Sequence, residues 1–148
     1  MSDSGTIEAG VHRVSFRVYY EDTDLAGIVY HANYLKFFER GRSDFLRVAG
    51  IDQRALSQGE DGLFFAVRHM DVDFKKPARF DDIVTVESRI KAISGARVVI
   101  DQKVTCDGRV LSTAAVTVAA LAAKGGPTRL PEAVRTRFSV LQDAADPA

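Results

Sequence analysis

Hydrophobic positions in the first half of the chain predict one long helix. Between residues 32 and 49, apolar side chains recur at the spacing of a single helix face; they are Tyr34, Phe38, Phe45 and Val48. Gly41 completes this face, and since glycine costs about 1 kcal/mol relative to alanine inside a helix, we expect it to permit a close approach to another backbone. Gly50 is placed as the C′ residue that ends the helix.

Five further segments favour β-strands. Their bounds are residues 14–20, 70–74, 83–93, 98–106 and 110–121. The Asp107-Gly108 pair between the last two segments is a strong hairpin signal, because both residues tolerate positive φ. One strand, one long helix and four largely antiparallel strands make an α+β arrangement, with the helix against one sheet.

The ends of the chain carry less regular patterns. Pro131 suits the first turn of a short closing helix that ends near Leu141. Residues 1–12 and 142–148 are expected to be loose tails. A chain of 148 residues without internal repeats has the size of one ordinary domain, so residues 1–148 are expected to form a single domain.

Composition argues against several classes of function. The 20 Lys and Arg residues balance 20 Asp and Glu residues, so the chain lacks the basic excess of a nucleic-acid-binding protein. Its apolar run at residues 110–123 is shorter than the roughly 20 residues that span a bilayer, and no membrane span is expected. Cys106 is the only cysteine, and the first residues show neither a signal peptide nor a lipidation motif, so we expect a cytoplasmic protein.

Residues 20–34 concentrate polar chemistry between the first strand and the long helix. This loop contains three carboxylates, a glycine and a histidine, and loops on a rigid scaffold carry many functional sites. The amides of residues 29–32 are expected to be the unpaired donors of a helix start, which suit an oxygen that develops negative charge. Gly27 permits a turn that brings Asp24 back towards those amides. The pattern predicts a base or nucleophile beside an electrophile-binding site.

The same loop resembles a known signature. Residues 17–34, RVYYEDTDLAGIVYHANY, are similar to the motif of the 4-hydroxybenzoyl-CoA thioesterase family, with matches at Thr23, Asp24, Gly27, Ile28, Val29, His31 and Tyr34. The resemblance continues more loosely through FFERGRSDFL, through residues 72–82 and through residues 129–134, so it covers most of the chain. These features are most similar to the bacterial acyl-CoA thioesterases associated with the Tol-Pal envelope system.

This resemblance implies a hotdog fold, in which an antiparallel sheet wraps around one long central helix and active sites lie between paired subunits. It also implies hydrolysis of an acyl-CoA thioester by Asp24, with the thioester carbonyl held by the backbone N–H of His31. The residues implied to bind substrate are Tyr20, Gly27, Val29 and Tyr30. The expected partners are the acyl-CoA substrate and further copies of the chain in a homodimer or homotetramer, with acyl carrier protein as another candidate. No cofactor beyond the CoA of the substrate is implied.

Each candidate residue also has an alternative. Asp24 and Asp22 could serve as turn or helix-capping residues. The motif favours a catalytic role for Asp24, and the loop or capping role is favoured for Asp22. The His31 imidazole could act as a base in a cysteine or serine hydrolase, but Cys106 lies in a predicted strand and no G-x-S-x-G motif is present. Glu39 resembles the helix carboxylate of a second type of hotdog thioesterase, although a solvent-facing role is favoured.

Other ligands and activities are weaker alternatives. Candidates for holding the CoA phosphates are Lys75, Lys76, Arg79 and Arg97, but basic loops are more typical of a solvated surface. The three histidines are dispersed without metal-ligand spacing, so no metal site is expected. A hotdog hydratase or dehydratase is the alternative enzyme. A non-catalytic module that binds acyl-CoA or acyl carrier protein is the alternative from another class.

Overall fold

The computed structural model of the chain describes residues 3–146. Its elements in chain order are β1 (Thr6–Glu8), β2 (Val11–Arg17), a 3₁₀ helix (Tyr20–Asp22), α1 (His31–Val48), α2 (Gln53–Leu56), β3 (Leu63–Phe74), β4 (Ile83–Ile93), β5 (Arg97–Cys106), β6 (Arg109–Ala122) and α3 (Glu132–Ala145). The strands form one antiparallel sheet in the order β1-β2-β4-β5-β6-β3, and α1 packs against β2, β4 and β5. The predicted α+β hotdog architecture is confirmed. Within residues 3–146, no helix is both long and apolar enough to cross a membrane.

The expected bounds hold best where the periodicity was regular. Helix α1 differs from its expected range by one residue at each end, and β4 has its expected bounds. Strand β3 begins at Leu63, seven residues before the predicted start, because its first residues are apolar on both faces and a bulge between Val67 and His69 interrupts the alternation. Strand β1 was not predicted, because three residues are too few to establish a period.

The expectation of loose tails is wrong for most of the residues concerned. Strand β1 pairs with β2, and His12 is 0 % exposed. Helix α3 continues to Ala145, four residues beyond its expected end. The two ends pack on each other at Gly10, where an added Cβ would lie 2.5 Å from the Leu141 carbonyl oxygen. Residues 1, 2, 147 and 148 of the expected tails lie outside the described residues.

Helix α1 ends at the glycine that the sequence indicated. Gly50 has φ of +86°, in the left-handed region that favours glycine. Its amide donates to the Arg47 carbonyl oxygen at 3.1 Å, and the Ile51 amide donates to Leu46 at 2.9 Å. These two bonds form a Schellman motif, which returns the chain towards α2. The predicted C′ position of Gly50 is therefore confirmed.

Gly41 sets how closely α1 approaches the sheet. A Cβ added at Gly41 would lie 2.5 Å from Cγ1 of the Val86 side chain and 3.3 Å from Nε2 of Gln102. The predicted close approach is confirmed, but the neighbours are side chains of β4 and β5 rather than a backbone. Phe38 and Phe45, one turn away on either side, are both 0 % exposed. The glycine therefore lets the aromatic face of α1 press into the core.

One half of the sheet has an incompletely covered inner face. Strand β3 lies at the edge of the sheet, and its helix-side residues pair with buried residues of β6. Val67 and Phe74 are 47 % and 50 % exposed, and the three other apolar residues of this face are only partly buried. We call this face the edge strip; its residues are Phe65, Val67, Met70, Val72 and Phe74. A twelve-residue strand with an open edge and an apolar face is a template for pairing with another chain.

His12 is a buried titratable side chain beneath α1. Its Nε2 donates to the Ser4 carbonyl oxygen at 2.6 Å, and its ring stacks on Phe45 with centroids 5.6 Å apart. Its Nδ1 is buried and, among residues 3–146, has no hydrogen-bond partner. Burial lowers the pKa of His12 below its ordinary value, although the Ser4 bond and the nearby Asp44 carboxylate oppose this shift. The folded protein therefore favours the neutral imidazole.

We expect this histidine to make the folded state less stable in mild acid. Because the pKa of His12 is lower in the folded than in the unfolded state, the unfolded chain takes up the proton first as pH falls below the ordinary value of 6.5. The His12 contribution to stability is complete above that pH and is lost below it, with a slope of at most about 1.4 kcal/mol per pH unit. Urea unfolding of wild type and His12→Phe between pH 7.5 and 5.5 measures this loss.

His12→Phe keeps a ring against Phe45 but removes the titration, so its stability should fall less steeply with pH than that of wild type. His69→Gln is the matched control, because the His69 side chain is 64 % exposed. If His12→Phe and wild type lose the same stability over this pH range, His12 is not the group responsible.

Candidate active site

A tight hairpin folds the loop before α1 back on itself. Thr23 and Val29 form an antiparallel bridge, and the Asp24 amide donates to the Ile28 carbonyl oxygen at 2.9 Å. The Gly27 amide donates to the Asp24 carbonyl oxygen at 3.0 Å, and Gly27 has φ of +78°. A turn that closes through a glycine in the left-handed region is a standard short hairpin connection. The predicted turn at Gly27 is confirmed, and it places Asp24 opposite the segment that leads into the helix.

The Asp24 carboxylate is oriented by its own turn. Its Oδ1 accepts a hydrogen bond from the Ala26 amide at 2.8 Å, the arrangement by which aspartate stabilises a turn. The residue is exposed, and no donor among residues 3–146 reaches Oδ2. One oxygen thus fixes the side chain while the other is free to act on water or on a bound electrophile.

Two of the four expected donors at the helix start are already used. The Val29 amide donates to the Ala78 carbonyl oxygen at 2.8 Å. The Tyr30 amide donates to the Asp22 carbonyl oxygen at 3.0 Å. Val29 is also only 4 % exposed, so it holds the helix start in place and presents neither its amide nor its side chain to solvent. The sequence pattern had counted both amides as unpaired, because their acceptors lie outside the segment's own helix.

The amides of His31 and Ala32 are the remaining donors. Within residues 3–146, neither amide donates to a protein acceptor. Tyr30, the N-cap residue, offers no side-chain hydrogen bond, and the first turn contains no acidic residue. An uncapped start of an 18-residue helix therefore presents two N–H groups and the positive end of the helix dipole. This arrangement suits an oxygen that gains negative charge.

Asn33 and Asp22 hold the hairpin and the helix start together. The Asn33 side-chain amide donates to the Asp22 carbonyl oxygen at 2.9 Å, which also accepts from Tyr30. The Asp22 carboxylate is buried and accepts from the Tyr19 amide at 2.8 Å. The sequence analysis did not single out Asn33, and an asparagine in the first turn, where side-chain bonds to the backbone are common, was the available signal. Asp22 thus has the loop role that was favoured for it.

Tyr34 anchors a second loop against the hairpin. Its hydroxyl accepts a hydrogen bond from the Ala78 amide at 2.9 Å, and Arg79 bridges to Ile28 in the hairpin. Burial raises the pKa of the Tyr34 phenol above its ordinary value, so the group stays protonated at neutral pH. Tyr34 is only 4 % exposed. The position of this second loop therefore depends on a buried phenol.

Exposed aromatic side chains surround the hairpin. Tyr20 is 83 % exposed and meets Phe80 edge to face, with ring centroids 6.4 Å apart. The His31 ring lies 4.5 Å from the Tyr30 ring and 5.9 Å from the Phe74 ring. Among residues 3–146, the His31 imidazole makes these ring contacts and no hydrogen bond. We call this group the aromatic rim; it consists of Tyr20, Tyr30, Phe74 and Phe80.

The structure separates the four basic candidates into two groups. Lys75, Lys76 and Arg79 are exposed on the loop that Tyr34 and the hairpin hold in place. Arg97 begins β5, and Cys106 at the other end of that strand lies about 30 Å away at 3.3 Å per residue. The start of β4 pairs with the Cys106 end of β5. The loop that leads into β4 contacts the hairpin through Arg79 and Ile28, so Arg97, at the other end of β5, is remote from the hairpin.

Two alternative catalytic groups lie outside this site. Glu39 is exposed on α1, and its carboxylate accepts from the Ser43 hydroxyl at 3.0 Å. Cys106 is buried at the end of β5, and burial raises the pKa of its thiol. A buried thiol with a raised pKa is a poor nucleophile. Of the candidate groups, Asp24 and Gly27 lie in the hairpin, and Tyr30 and the amide of His31 lie where the hairpin leads into α1.

Comparisons with known proteins agree on one family. The model of the thioesterase superfamily matches residues 26–113, a segment that begins two residues after Asp24. The acyl-CoA thioesterase YbgC of Haemophilus influenzae is 39 % identical over 127 residues, which cover 85 % of this chain and 93 % of that protein. The acyl-CoA thioester hydrolase YbgC of Escherichia coli O157:H7 is 38 % identical over 124 residues, which cover 82 % and 91 % of the two chains.

A solved structure extends this agreement to three dimensions. The crystal structure of a probable thioesterase from Bartonella henselae superposes with a TM-score of 0.78 at 46 % identity, and the match covers 82 % of this chain and 99 % of that one. The two YbgC proteins are matched over nearly their whole length in sequence, and the solved structure is matched over nearly its whole length in fold. The chain belongs to the thioesterase superfamily.

Proposed function

We propose that the protein hydrolyses acyl-CoA thioesters at the Asp24 hairpin. The observation that carries this proposal is the pairing of Asp24 with Ile28, which folds the loop back towards the start of α1. Among residues 3–146, one oxygen of the Asp24 carboxylate receives no hydrogen bond, and the amides of His31 and Ala32 donate none. The relatives named acyl-CoA thioesterase support the choice of substrate. The proposed site comprises Asp24 and the His31 amide, with Tyr20, Gly27 and Tyr30 around the substrate and Val29 holding the helix start.

In the proposed reaction, the thioester carbonyl oxygen accepts hydrogen bonds from the His31 and Ala32 amides. The free oxygen of Asp24 either attacks the carbonyl carbon or removes a proton from the attacking water. The carbon–sulfur bond then breaks, and the products are the free acid and the CoA thiol. Donors of this kind contribute roughly 10²–10³ in rate, and a general base contributes roughly 10²–10⁴. The His31 imidazole contributes by packing between Tyr30 and Phe74.

The proposal includes an assembly and a location. A homodimer or homotetramer would cover the edge strip, which a single copy leaves half-exposed. One six-stranded sheet with its helices supports a single hotdog domain. The buried, unpaired Cys106 supports a reducing compartment such as the cytoplasm. Acyl carrier protein, which presents acyl thioesters of the same chemistry, is a second candidate substrate carrier.

Thiol release tests the proposed activity directly. Short, long and aromatic acyl-CoAs are incubated with the protein, and a simple acyl phosphate serves as the matched substrate without a thioester. We expect hydrolysis of at least one acyl-CoA class and no turnover of the acyl phosphate, because the thiolate leaving group and CoA tail are central to the site. Equal turnover of both would contradict the proposal. Loss of enoyl absorbance without thiol release would instead indicate a hydratase.

The basic loop is proposed to bind the CoA phosphates. Lys75, Lys76 and Arg79 lie beside the hairpin and the aromatic rim, where a CoA tail would leave the site. Replacing all three by glutamine should raise KM for acyl-CoA by about threefold to tenfold at low salt, since exposed ion pairs are individually weak. The effect should shrink with added salt, and kcat should change little. Arg97→Gln is the control, and an equal rise in KM for Arg97→Gln would refute this assignment.

A further inference from the structure

The first turn of α1 is closed by a carbonyl group from outside the helix. The N-cap residue Tyr30 and the third helical residue, Asn33, both donate to the carbonyl oxygen of Asp22. The distances to this oxygen are 3.0 Å from the Tyr30 amide and 2.9 Å from the Asn33 side-chain amide. In a capping box, a glutamate or glutamine at the third position would instead accept from the N-cap amide. Here a backbone carbonyl of the preceding segment replaces the side-chain cap.

The shared acceptor ties α1 to the segment that carries Asp24. Asp22 ends the 3₁₀ helix, and its own amide donates to the Tyr19 carbonyl oxygen at 3.0 Å. Two residues later, the Asp24 amide donates to Ile28 and begins the hairpin. Among residues 3–146, Asn33 provides the only side-chain hydrogen bond between α1 and residues 18–29. We call this bond the Asn33 clamp.

The same arrangement leaves two N–H groups of the first turn free. The Tyr30 amide is bonded to Asp22, and the Asn33 backbone amide donates to the Tyr30 carbonyl oxygen at 2.8 Å. Between them, the His31 and Ala32 amides donate to no protein acceptor in the part of the chain that the structure describes. Because the bonds on either side fix the backbone, they also fix the direction of these two free N–H groups.

The clamp side chain is neutral as well as a hydrogen-bond donor. Acidic residues are favoured in the first turn of a helix because they complement its dipole, yet the first turn of α1 contains none. A carboxylate at the position of Asn33 would have no proton to donate to the Asp22 carbonyl at neutral pH. It would also place negative charge beside the amides at which the proposed reaction develops an oxyanion. Asparagine keeps this position both donating and uncharged.

We propose that Asn33 is a positioning residue of the active site. Its side chain sets the separation between the Asp24 carboxylate and the His31 amide, and its neutrality keeps the free amides available to the thioester carbonyl. A displacement of about 1 Å between reacting groups costs roughly 10²-fold in rate, so this one bond affects catalysis more than folding. The role of Asn33 in the reaction rests on the proposed function, whereas the clamp itself does not.

Kinetics of Asn33→Ala and Asn33→Asp test this role. Both variants lose the donor, and only Asn33→Asp adds a negative charge. We expect kcat for acyl-CoA to fall about tenfold to a hundredfold in Asn33→Ala. In Asn33→Asp it should fall about 10²- to 10³-fold, the loss expected when an oxyanion donor is impaired. KM should change less than about threefold in both, because Asn33 holds the backbone rather than the substrate.

Thermal unfolding separates positioning from a merely structural role. Asn33→Asp should unfold at the same or a higher temperature than Asn33→Ala, because negative charge in the first turn is favoured by the helix dipole. The variant that is at least as stable should therefore be the less active one. If activity instead follows the unfolding temperature from wild type through both variants, Asn33 is merely structural and the proposal is overturned.

Gln142→Glu is the matched control. Nε2 of Gln142 donates to the Lys91 carbonyl oxygen at 2.7 Å, so this substitution also replaces a carboxamide by a carboxylate against a backbone carbonyl. Lys91 lies near the end of β4 that is remote from the hairpin. Both kcat and KM should stay at their wild-type values. A fall in kcat as large as that of Asn33→Asp would count against a specific role for Asn33 and would overturn the proposal.

Amide hydrogen exchange measured by NMR detects the clamp without any substrate. The Tyr30 amide shares the Asp22 carbonyl with Asn33, so it should exchange about threefold to tenfold faster in both Asn33 variants than in wild type. In Gln142→Glu it should exchange at the wild-type rate. Unchanged exchange in the Asn33 variants would refute the clamp and the proposal with it.

The two measurements together distinguish this proposal from the proposed function. If wild type releases thiol and Asn33→Asp keeps its kcat, Asn33 is not a positioning residue, and the proposed function stands. If exchange responds as expected but wild type releases thiol from no acyl-CoA, the proposed function fails. The catalytic role of Asn33 then falls with it, and only the clamp stands.

Discussion

The Asp24→Asn variant is expected to remain folded. Its kcat should fall about 10²- to 10⁴-fold if Asp24 is a general base, and further if Asp24 is the nucleophile. Asparagine preserves the side-chain oxygen that accepts from the Ala26 amide, so the turn should form as before. It removes the negative charge and basicity of the second oxygen. Thiol release, acyl-CoA binding and thermal unfolding of wild type and variant provide the measurement.

Asp22→Asn is the matched control for this prediction. Asp22 is two residues away, but its carboxylate is buried and already accepts from the Tyr19 amide. Its asparagine variant keeps that acceptor, so activity should stay within about tenfold of wild type. A purely structural Asp24 would tolerate asparagine, because asparagine forms turns and caps about as well as aspartate. If Asp22→Asn abolishes activity in a folded protein and Asp24→Asn does not, the catalytic carboxylate has been misassigned.

Val67→Lys is expected to dissociate the proposed oligomer and thereby to abolish most of the activity. Val67 lies in the middle of the edge strip and is 47 % exposed in a single copy. If a second copy covers this strip, the lysine charge would be buried without a partner, at a cost of several kcal/mol. Wild type should therefore scatter light as a dimer or tetramer of the 16.2 kDa chain, and Val67→Lys as a monomer.

Val140→Lys is the control for the oligomer, since Val140 is 52 % exposed on α3, away from the edge strip. The same substitution there should leave both the mass in solution and the activity unchanged. Light scattering at micromolar concentration that finds wild type to be a fully active 16.2 kDa monomer would rule out the proposed assembly.

Local sequence was sufficient where a signal and its physical cause lie within one element. The apolar spacing of α1, its glycine end at Gly50 and the hairpin at Asp107-Gly108 were all predicted, and both residues of that hairpin have positive φ. The same holds for the turn at Gly27, because φ of +78° is a property of one residue and its neighbours. The motif between Arg17 and Tyr34 likewise indicated the family before any contact was known.

The sequence by itself therefore determined the order of β2, α1, the four strands β3 to β6 and α3, together with the family and the candidate carboxylate. Only the tertiary structure decided which helix-start amides remain free, because the acceptors for Val29 and Tyr30 come from other parts of the chain. It also decided the burial of His12 and Arg42, since solvent exposure depends on which distant elements pack together. Periodicity reports which face of an element is apolar, but it does not report what covers that face.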